Sequence, residues 1–370
     1  DKGEVTEDAT TTVSGTLTAE DVDIGDTLSW SIDGEASGTY GSIAVDENGK
    51  WTYTLDNDKA QSLAAGQTVD ETFTVKVSDD QGGSATQVVT ITIKGTNDDP
   101  VISVEDDADK GEVTEDATTT VSGTLTAEDV DIGDTLSWSI DGEASGTYGS
   151  IAVDENGKWT YTLDNDKAQS LAAGQTVDET FTVKVSDDQG GSATQVVTIT
   201  IKGTNDVPEI TGARTGAVTE DDTATENLTA TGTLTIIDAD TGESTFQTDS
   251  ITTDEGTLGS LTITEEGVWT YTVDNAKVQY LAKDATKVET FTVKSADGTA
   301  EETITITITG TNDDPVMSVE DGADKGEVTE DATTTVSGTL TAEDVDIGDT
   351  LSWSIDGEAS GTYGSIAVDE

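Results

Sequence analysis

The segment WTYTL at residues 51–55 alternates large apolar side chains with threonine. The same alternation occurs in LSWSI at 28–32, FTVKV at 73–77, VTITI at 89–93 and, less strictly, TTTVSGTLTA at 10–19. Because successive side chains of a β-strand point to opposite faces, a period of two predicts strands with one buried face and one threonine-rich face in water. The chain is therefore predicted to be all-β.

The residues between these segments predict turns and one exception to the β pattern. Stretches rich in Gly and Asp at 24–26 and 81–83 are typical of turns. Residues 58–65 do not alternate, follow Asn57, a favourable N-cap, and end at Gly66. This arrangement predicts one short helical turn that crosses the open end of a sandwich.

The strand count predicts the fold. The first strand of a repeat is expected to be split, in the second copy at residues 100–104 and 111–114. With it, seven short strands, A to G, fall within roughly a hundred residues, which is typical of an immunoglobulin-like Greek-key β-sandwich. Four aromatic side chains on the apolar strand faces are predicted to form the core rather than a sugar-stacking surface: Trp30, Trp51, Tyr53 and Phe73.

The chain repeats this unit. Residues 1–98 recur letter for letter as 109–206, a divergent copy begins near Arg214, and a fourth begins at Asp324. A period of 109 − 1 = 108 residues is the size of a whole domain, so the sequence predicts a linear array of tandem sandwiches. The predicted domains are 1–97, which lacks its first strand segment, 98–205, the divergent 206–312, and 313–370, a truncated copy that cannot complete a core.

The linkers between the copies are short and end in proline. They read GTNDDP at 95–100, GTNDVP at 203–208 and GTNDDP at 310–315. Such linkers differ from flexible Gly/Ser tethers, because proline fixes one backbone dihedral and each linker is only six residues long.

The charge and composition exclude several classes of protein. The chain has 16 Lys and Arg against 77 Asp and Glu, a net charge of −61, which would repel nucleic acids and anionic membrane surfaces. It has no Cys and no His, which excludes disulfides, thiolate chemistry and His-based catalysis. No long apolar run is present, so no membrane insertion is expected.

The acidic residues concentrate in loops that face each other between consecutive repeats. When seven strands run up and down, the B–C and F–G loops lie at the upstream end, and the A–B and E–F connections lie at the downstream end. So many carboxylates in one gap could not all stay ionised unaided, and Ca²⁺, which takes 6–8 oxygen ligands, is the natural partner. The alternative is that they are ordinary turn acids, which would not explain acids at both facing ends and in the linker.

The predicted metal-ligating residues of the first junction are Glu7, Asp8, Asp56, Asn97, Asp98, Asp129, Asp131, Asp134, Asp187 and Asp188. Those of the second are Glu115, Asp116, Asp164, Asn205, Asp206, Asp238, Asp240 and Asp297. Those of the third are Glu220, Asp221, Asp274, Asn312, Asp313, Asp344 and Asp346. In the third copy Glu243 replaces the last Asp of the B–C loop, and Val207 replaces Asp99 of the linker, which predicts one ligand fewer at the second junction.

The order of several motifs carries a resemblance. GTLT at 15–18, DVDIGDT at 21–27, WTYTLDN at 51–57, FTVKV at 73–77 and GTND at 95–98 together resemble the cadherin-like VCBS repeats of long bacterial RTX-type adhesins. The acidic loops and the Asn-Asp linker are similar to the calcium pattern of cadherin repeats. The resemblance covers nearly the whole chain and implies a secreted, cell-surface protein whose repeats are calcium-rigidified extenders.

Three classes of function remain open at this stage. The first is a structural stalk, a monomeric array stiffened by calcium ions at its junctions, which requires the millimolar calcium found outside cells. The second is a series of carbohydrate- or protein-binding modules, including homophilic ones, which would need exposed aromatic or apolar patches. The third is an enzyme, which is disfavoured because the acids lie at domain ends and recur in every copy.

Overall fold

The computed structural model describes residues 1–222 and 226–369. These residues form β-sandwiches, so the predicted all-β fold is confirmed, and helical structure is confined to short turns. The chain divides into two compact units, Asp1–Thr204 and Asn205–Glu370. The first unit contains the first two repeats, and the second contains the third repeat and the beginning of the fourth.

The first repeat has the seven strands that the sequence predicts. They are β1 (Lys2–Thr6), β2 (Thr12–Thr16), β3 (Ser29–Asp33), β4 (Gly41–Val45), β5 (Lys50–Leu55), β6 (Thr68–Ser78) and β7 (Ser84–Lys94), with the helical turn α1 (Asn57–Ala60) between β5 and β6. One sheet has the order β1-β7-β6-β3 and the other β2-β5-β4. β1 runs parallel to β7, and the remaining pairs are antiparallel.

Each alternating segment predicted from the sequence overlaps a strand, and residues 28–32 lie in β3 except for Leu28. Residues 51–55 lie in β5, 73–77 in β6 and 89–93 in β7, while 10–19 contains all of β2. The strand β4, with the sequence GSIAV, lies outside the alternating segments and carries only two large apolar residues. Each strand buries the face on which its large apolar side chains lie.

The second repeat reproduces this fold and adds the split first strand. Its elements are β8 (Val101–Ser103), β9 (Lys110–Thr114), β10 (Thr120–Thr124), β11 (Thr126–Glu128), β12 (Ser137–Asp141), β13 (Gly149–Val153), β14 (Lys158–Leu163), α2 (Asn165–Ala168), β15 (Thr176–Ser186) and β16 (Ser192–Lys202). β8 pairs antiparallel with β11, whereas β9 pairs parallel with β16. The predicted division of the first strand is therefore confirmed.

The third repeat has the same layers with a longer second strand. Its elements are β17 (Glu209–Gly212), β18 (Thr215–Thr219), β19 (Asn227–Ile237), β20 (Thr252–Thr253), β21 (Ser260–Ile263), β22 (Val268–Asp274), a 3₁₀ helix (Asn275–Lys277), β23 (Thr286–Lys294) and β24 (Glu301–Thr309). The sheets have the orders β17-β19-β22-β21 and β18-β24-β23-β20.

The beginning of the fourth repeat contains two short strands, β25 (Val316–Ser318) and β26 (Thr341–Glu343), which pair antiparallel. Within the described residues, no apolar side chain after Ile308 is buried. A strand pair without a buried apolar face contributes little hydrophobic stabilisation.

The core of each complete repeat is built around three aromatic side chains. In the first repeat Trp51, Tyr53 and Phe73 are at most 5% exposed, and the rings of Tyr53 and Phe73 lie 5.8 Å apart. Trp30 is only partly buried at the edge of this core, so the core prediction holds for it in part. A Cβ atom at Gly15 would lie 2.6 Å from the Trp51 ring, so this position admits only glycine.

The helical turn begins at Asn57, one residue earlier than predicted. Asp56, not Asn57, is the N-cap of α1, and its side chain makes no capping hydrogen bond. The prediction of Asn57 as the N-cap is wrong because its amide bonds instead to Asp8 in the A–B turn, 49 residues away. No helix in residues 1–222 and 226–369 is long and apolar enough to cross a bilayer.

Candidate metal centres at the ends of the repeats

The first two repeats bring their facing loops into contact within one compact unit. The linker residue Asp98 donates its backbone N–H to Asp131 Oδ2 at 2.9 Å, and Asp131 lies in the B–C loop of the second repeat. Asn97 Nδ2 donates to Asp187 Oδ2 at 3.0 Å, and Asp187 lies in the F–G loop. The linker is therefore held between the two loops that the strand order predicts at this end.

One group of acidic side chains joins the A–B turn to the linker. Glu7, Asp8 and Asp98 each offer a carboxylate oxygen, and these oxygens lie within 4.8 Å of one another. Calcium binds oxygen at 2.3–2.6 Å, so two ligands of one ion lie at most about 5 Å apart. The group therefore has the dimensions of a cation site, and Glu7 within it is 0% exposed.

A second group lies in the loops of the second repeat. Asp129 and Asp134 of the B–C loop and Asp187 of the F–G loop place carboxylate oxygens within 4.8 Å of one another. Asp131 lies between Asp129 and Asp134 in the chain and is 4% exposed. Asp131 accepts the backbone N–H of Asp98, a member of the first group, so it connects the two groups.

Buried oxygen atoms without donors mark the same place. Such atoms are expensive in a folded protein, and each requires an explanation such as an ion. None of the ion pairs formed by the described residues involves these groups. The buried atoms with no hydrogen-bond partner at this junction are Asn97 Oδ1, Asp98 Oδ2, Asp129 Oδ2, Asp131 Oδ1 and Asp134 Oδ2.

The electrostatics of the junction follow from burial and like charge. Burial, opposed by the hydrogen bond from the Thr96 N–H and assisted by the nearby charges of Asp98, Asp8 and Asp131, raises the pKa of Glu7 to about 7. Burial and then Asp8 and Asp131 also raise the pKa of Asp98. Ionised carboxylates are therefore disfavoured here in the absence of a positive partner.

Asp187 behaves differently because hydrogen bonds surround it. Burial raises its pKa, but donation by Asn97 and by the backbone N–H groups of residues 189–191 outweighs burial and lowers the pKa below its usual value. This carboxylate is therefore ionised and oriented before any ion binds.

Two amide side chains that the sequence analysis did not select orient the A–B turn. Gln61 Nε2 donates to Glu7 Oε1 at 2.7 Å, and Asn57 Nδ2 donates to Asp8 Oδ1 at 2.5 Å. Asp8 itself adopts a positive φ of 53°, and its backbone N–H donates to Asn57 Oδ1. The recurrence of Asn and Gln at this spacing in all three complete repeats was the available signal, since Asn165 with Gln169 and Asn275 with Gln279 make the same bonds.

Some predicted ligands are not brought into these groups. Asp56 pairs with Lys59 at 2.9 Å, and Asp164 pairs with Lys167 at 3.2 Å, so both carboxylates have a local cation. Asp274 caps the 3₁₀ helix by accepting from the Ala276 N–H. Asp188 lies nearby but accepts a backbone bond from Thr135 at 3.3 Å. Among the described residues none of the four belongs to an acidic group.

The downstream end of the second repeat has the same local arrangement as that of the first. Glu115 is 0% exposed and accepts hydrogen bonds from Gln169 Nε2 and from the Thr204 N–H. Asp116 is held by Asn165, as Asp8 is held by Asn57.

The second unit repeats the pattern at the upstream end of the third repeat. Asp238, Glu243 and Asp297 form a group, and Asp206 donates its N–H to the buried Asp240 at 2.9 Å. Asn205 donates to Asp297, whose pKa lies at about 2, because hydrogen bonds from Ser295, Thr299 and Asn205 outweigh the effect of burial.

Its other end repeats the pattern once more. Burial, with the charges of Asp313, Asp221 and Asp346, raises the pKa of Glu220. The Asp313 N–H donates to Asp346 Oδ2 at 2.9 Å, while Asn312 donates to the carbonyl of Asp313. The acidic group of this B–C loop is Asp344, Asp346 and Asp349. Glu243 and Asp349 thus join groups from which the predicted ligand sets omitted them.

The sequence of the chain is similar to a known domain family and to a characterised relative. Residues 1–95, 97–203 and 205–310 each match the family model described as "Bacterial cadherin-like domain". A relative from Rhizobium johnstonii, described as "Calcium-binding lectin RapA2", is 33% identical over 183 residues, which cover 46% of this chain and 75% of the relative.

Solved structures of low sequence identity also resemble the chain. The chain resembles mouse cadherin-23 EC22–24 with a TM-score of 0.46 and 17% identity, covering 84% of this chain and 95% of that structure. It also resembles protocadherin gammaB7 EC3–6 with a TM-score of 0.47 and 15% identity, covering 94% and 82%.

Proposed function

Because the chain belongs to the family of bacterial cadherin-like domains, we propose that it is a calcium-rigidified stalk of a secreted bacterial surface adhesin. The stalk would project a distal binding domain for adhesion and biofilm formation. In the finer classification it would be a VCBS-type repeat region of a long RTX-type adhesin. Its partners are calcium ions and its own neighbouring repeats, and it acts as a monomer outside the cell.

The donorless buried oxygens between the first two repeats are the observation that carries this proposal. They fit a hard cation, since all of them are carboxylate or amide oxygens. Asp98, Asp129 and Asp134 also belong to groups whose carboxylate oxygens lie within 4.8 Å of one another. The ions would be held by Glu7, Asp8 and Asp98 in one group and by Asp129, Asp134 and Asp187 in the other. Bound calcium would supply the positive charge that these groups lack.

Neutralisation has a mechanical consequence for an array with a net charge of −61. Without cations, the carboxylates of facing loops repel each other and favour separation of the repeats. With cations bound to ligands from the first repeat, the linker and the second repeat, separation requires breaking coordination. Calcium therefore removes interdomain freedom and keeps the stalk extended.

The test is small-angle scattering on the full chain in millimolar calcium and again in a chelator. We expect greater maximum dimension and stiffness with calcium, and we expect Asp129→Ala/Asp131→Ala to reduce both. The matched control is Asp21→Ala/Asp23→Ala, which alters the identical loop of the first repeat. Scattering profiles that are unchanged by calcium would contradict the stalk function.

A second candidate function is calcium-dependent carbohydrate binding, which the name of the lectin relative favours. Against it, the large aromatic side chains Trp51, Tyr53 and Phe73 lie in the core and offer no stacking surface. A glycan array probed with the full chain in calcium separates the two candidates, since saturable binding abolished by chelator would favour the lectin-type module. We expect no enzymatic activity, because the acidic groups recur in successive repeats and lie at their ends.

A further inference from the structure

The B–C loop of the second repeat makes an interdomain contact that involves no carboxylate. The backbone N–H of Ile132 donates to the backbone carbonyl of Ser62 at 3.3 Å. Ser62 lies in the turn that follows α1 in the first repeat, so the bond joins two successive sandwiches. We call the pair formed by the Ile132 N–H and the Ser62 carbonyl the loop contact.

The same contact recurs in the second unit between different residues. Ile347 of the fourth repeat donates its N–H to the carbonyl of Tyr280 in the third repeat at 3.1 Å. Tyr280 occupies the position of Ser62, yet the bond forms in both places because its acceptor is the main chain. Two independent occurrences with different acceptor residues indicate a property of the fold rather than of one side chain.

Identical loops in two settings show what the preceding repeat does. Val22 and Ile24 of the first repeat are 92% and 105% exposed, whereas Val130 and Ile132 are 48% and 69% exposed. The sequences DVDIGD at 21–26 and 129–134 are the same, so the loss of exposure comes from the repeat that lies before the loop. Val345 and Ile347 in the second unit are exposed to nearly the same extent as Val130 and Ile132, 50% and 70%.

The chemistry of the contact separates it from the acidic groups. A backbone amide, a backbone carbonyl and two aliphatic side chains carry no net charge, so their association requires no cation. The residues of the contact alternate along the chain with the carboxylates: Val130 follows Asp129, and Ile132 follows Asp131. Fixing the main chain at Ile132 therefore also fixes the position of Asp131 beside Asp98.

We propose that the loop contact is a cation-independent docking surface between successive repeats, whose partner is the turn after the short helix of the preceding sandwich. It holds two repeats in register before any ion binds, and Ile132 acts as a positioning residue for Asp129 and Asp131. The first statement is independent of the proposed calcium function, and the second rests on it.

The chain has no cysteine, so a pair of spin labels can report the distance between two repeats without background. We would label Ser42→Cys and Ser150→Cys, which are exposed and equivalent positions of the first and second repeats. Distances would be measured by pulsed electron paramagnetic resonance on the full chain in chelator. Ile132→Pro removes the donor N–H, and Ile24→Pro makes the identical change in the loop of the first repeat, whose Ile24 N–H donates to no other repeat among the described residues.

We expect a narrow distance distribution in chelator for the unsubstituted chain and for Ile24→Pro. Ile132→Pro should broaden it, with a docked fraction reduced about two- to tenfold, as loss of one hydrogen bond implies. A comparison of Ile132→Ala with Ile24→Ala tests the contribution of the aliphatic side chain, because both variants keep the backbone N–H. Equal distributions for Ile132→Pro and Ile24→Pro, with unchanged melting of the repeats, would overturn the proposal.

A calcium titration of the same samples tests the positioning role. If the loop contact positions Asp131, Ile132→Pro weakens calcium binding several-fold relative to Ile24→Pro. If no sample binds calcium, the proposed stalk function fails while the chelator result still decides the loop contact. If calcium binds Ile132→Pro and Ile24→Pro equally, the positioning role is wrong.

Discussion

The loop DVDIGD occurs at residues 21–26 and again at 129–134 with the same letters and different surroundings. In the first repeat Asp23 is exposed, whereas its counterpart Asp131 is 4% exposed and accepts a bond from the linker. The group Asp21, Asp26 and Asp79 nevertheless forms, as Asp129, Asp134 and Asp187 do. The acidic group of the B–C and F–G loops is thus built within one repeat. The contact of Asp131 with the linker, in contrast, involves the linker that follows the preceding repeat.

The comparison of the two loops indicates how the affinity for a cation can depend on the association of two repeats. The in-repeat group offers carboxylates from two loops of one sandwich, Asp21 and Asp26 from the B–C loop and Asp79 from the F–G loop. The connecting carboxylate, Asp131, and the group of Glu7, Asp8 and Asp98 belong to the junction. On the proposed function, calcium binding at the junction would therefore depend on the relative position of two repeats.

Removal of calcium is expected to have the largest effect. An ion present at about 100 times its dissociation constant stabilises the folded state by about 2.7 kcal/mol, which shifts the melting temperature of a hundred-residue domain by roughly 10–20 °C. Differential scanning calorimetry in calcium and in chelator measures this shift, with magnesium as the control for ionic strength. Equal melting temperatures in calcium and in chelator would contradict the proposed calcium sites.

The second-largest effect is expected from substitution of Asp131, the carboxylate that connects the two acidic groups. Asp131→Ala is expected to weaken calcium binding at the first junction by about tenfold or more, since it deletes a buried ligand. Asp23→Ala, the same change in the identical loop of the first repeat, should leave that junction unaltered. Isothermal titration calorimetry on the full chain compares the two variants, and equal affinities would contradict assembly of the site across the junction.

The stability of the chain in chelator should depend on pH through the buried carboxyl group of Glu7. Burial raises the pKa of Glu7 from 4.5 to about 7, so the folded state binds more protons than the unfolded state between these values. Stability conferred by the protonated carboxyl is present below pH 4.5 and is lost as the pH rises to about 7. Glu7→Gln should flatten this part of the profile, measured by thermal melts at successive pH values.

The control for that experiment is Glu4→Gln. Glu4 lies in β1, three residues before Glu7, but it is exposed and pairs with Lys94, so its neutralisation should leave the slope between pH 4.5 and 7 intact. A Glu7→Gln profile that coincides with that of Glu4→Gln would show that burial of Glu7 does not set the slope.

The smallest expected effect concerns the glycine that ends the F–G loop. A Cβ atom at Gly191 would lie 2.3 Å from Asp187 Oδ2 and 2.7 Å from both Asn97 Nδ2 and Asp99 Oδ1, whereas at Gly83 it would meet only Asp79. Gly191→Ala should therefore weaken calcium binding at the first junction about two- to fivefold, because flexible side chains absorb part of the overlap. Gly83→Ala, checked in the same titration, should have no effect there.

Much of the fold could be predicted from the sequence because its signals are local. The alternation in residues 51–55, 73–77 and 89–93 identifies strands, and their order determines which loops share an end. The prediction that Asn97, Asp98, Asp131 and Asp187 come together followed from that order, and the structure brings them together.

The finer arrangement of the site could not be predicted because it depends on contacts between residues distant in sequence. Asp56 resembles a ligand in the E–F connection, but Lys59, one helical turn away, takes its carboxylate. Gln61 and Asn57 resemble ordinary surface amides until the A–B turn is placed against α1. The different exposures of Asp23 and Asp131 cannot be inferred from identical letters, since they arise from the neighbouring repeat.

The parallel pairing of first and last strands has a consequence for a chain under tension. In the three complete repeats β1 pairs with β7, β9 with β16 and β18 with β24, each through five residue pairs. A pull on the two ends of a repeat draws these strands in opposite directions along their length. The interstrand hydrogen bonds are then loaded together in shear rather than opened one after another, so each sandwich resists extension at the point where the force enters and leaves it.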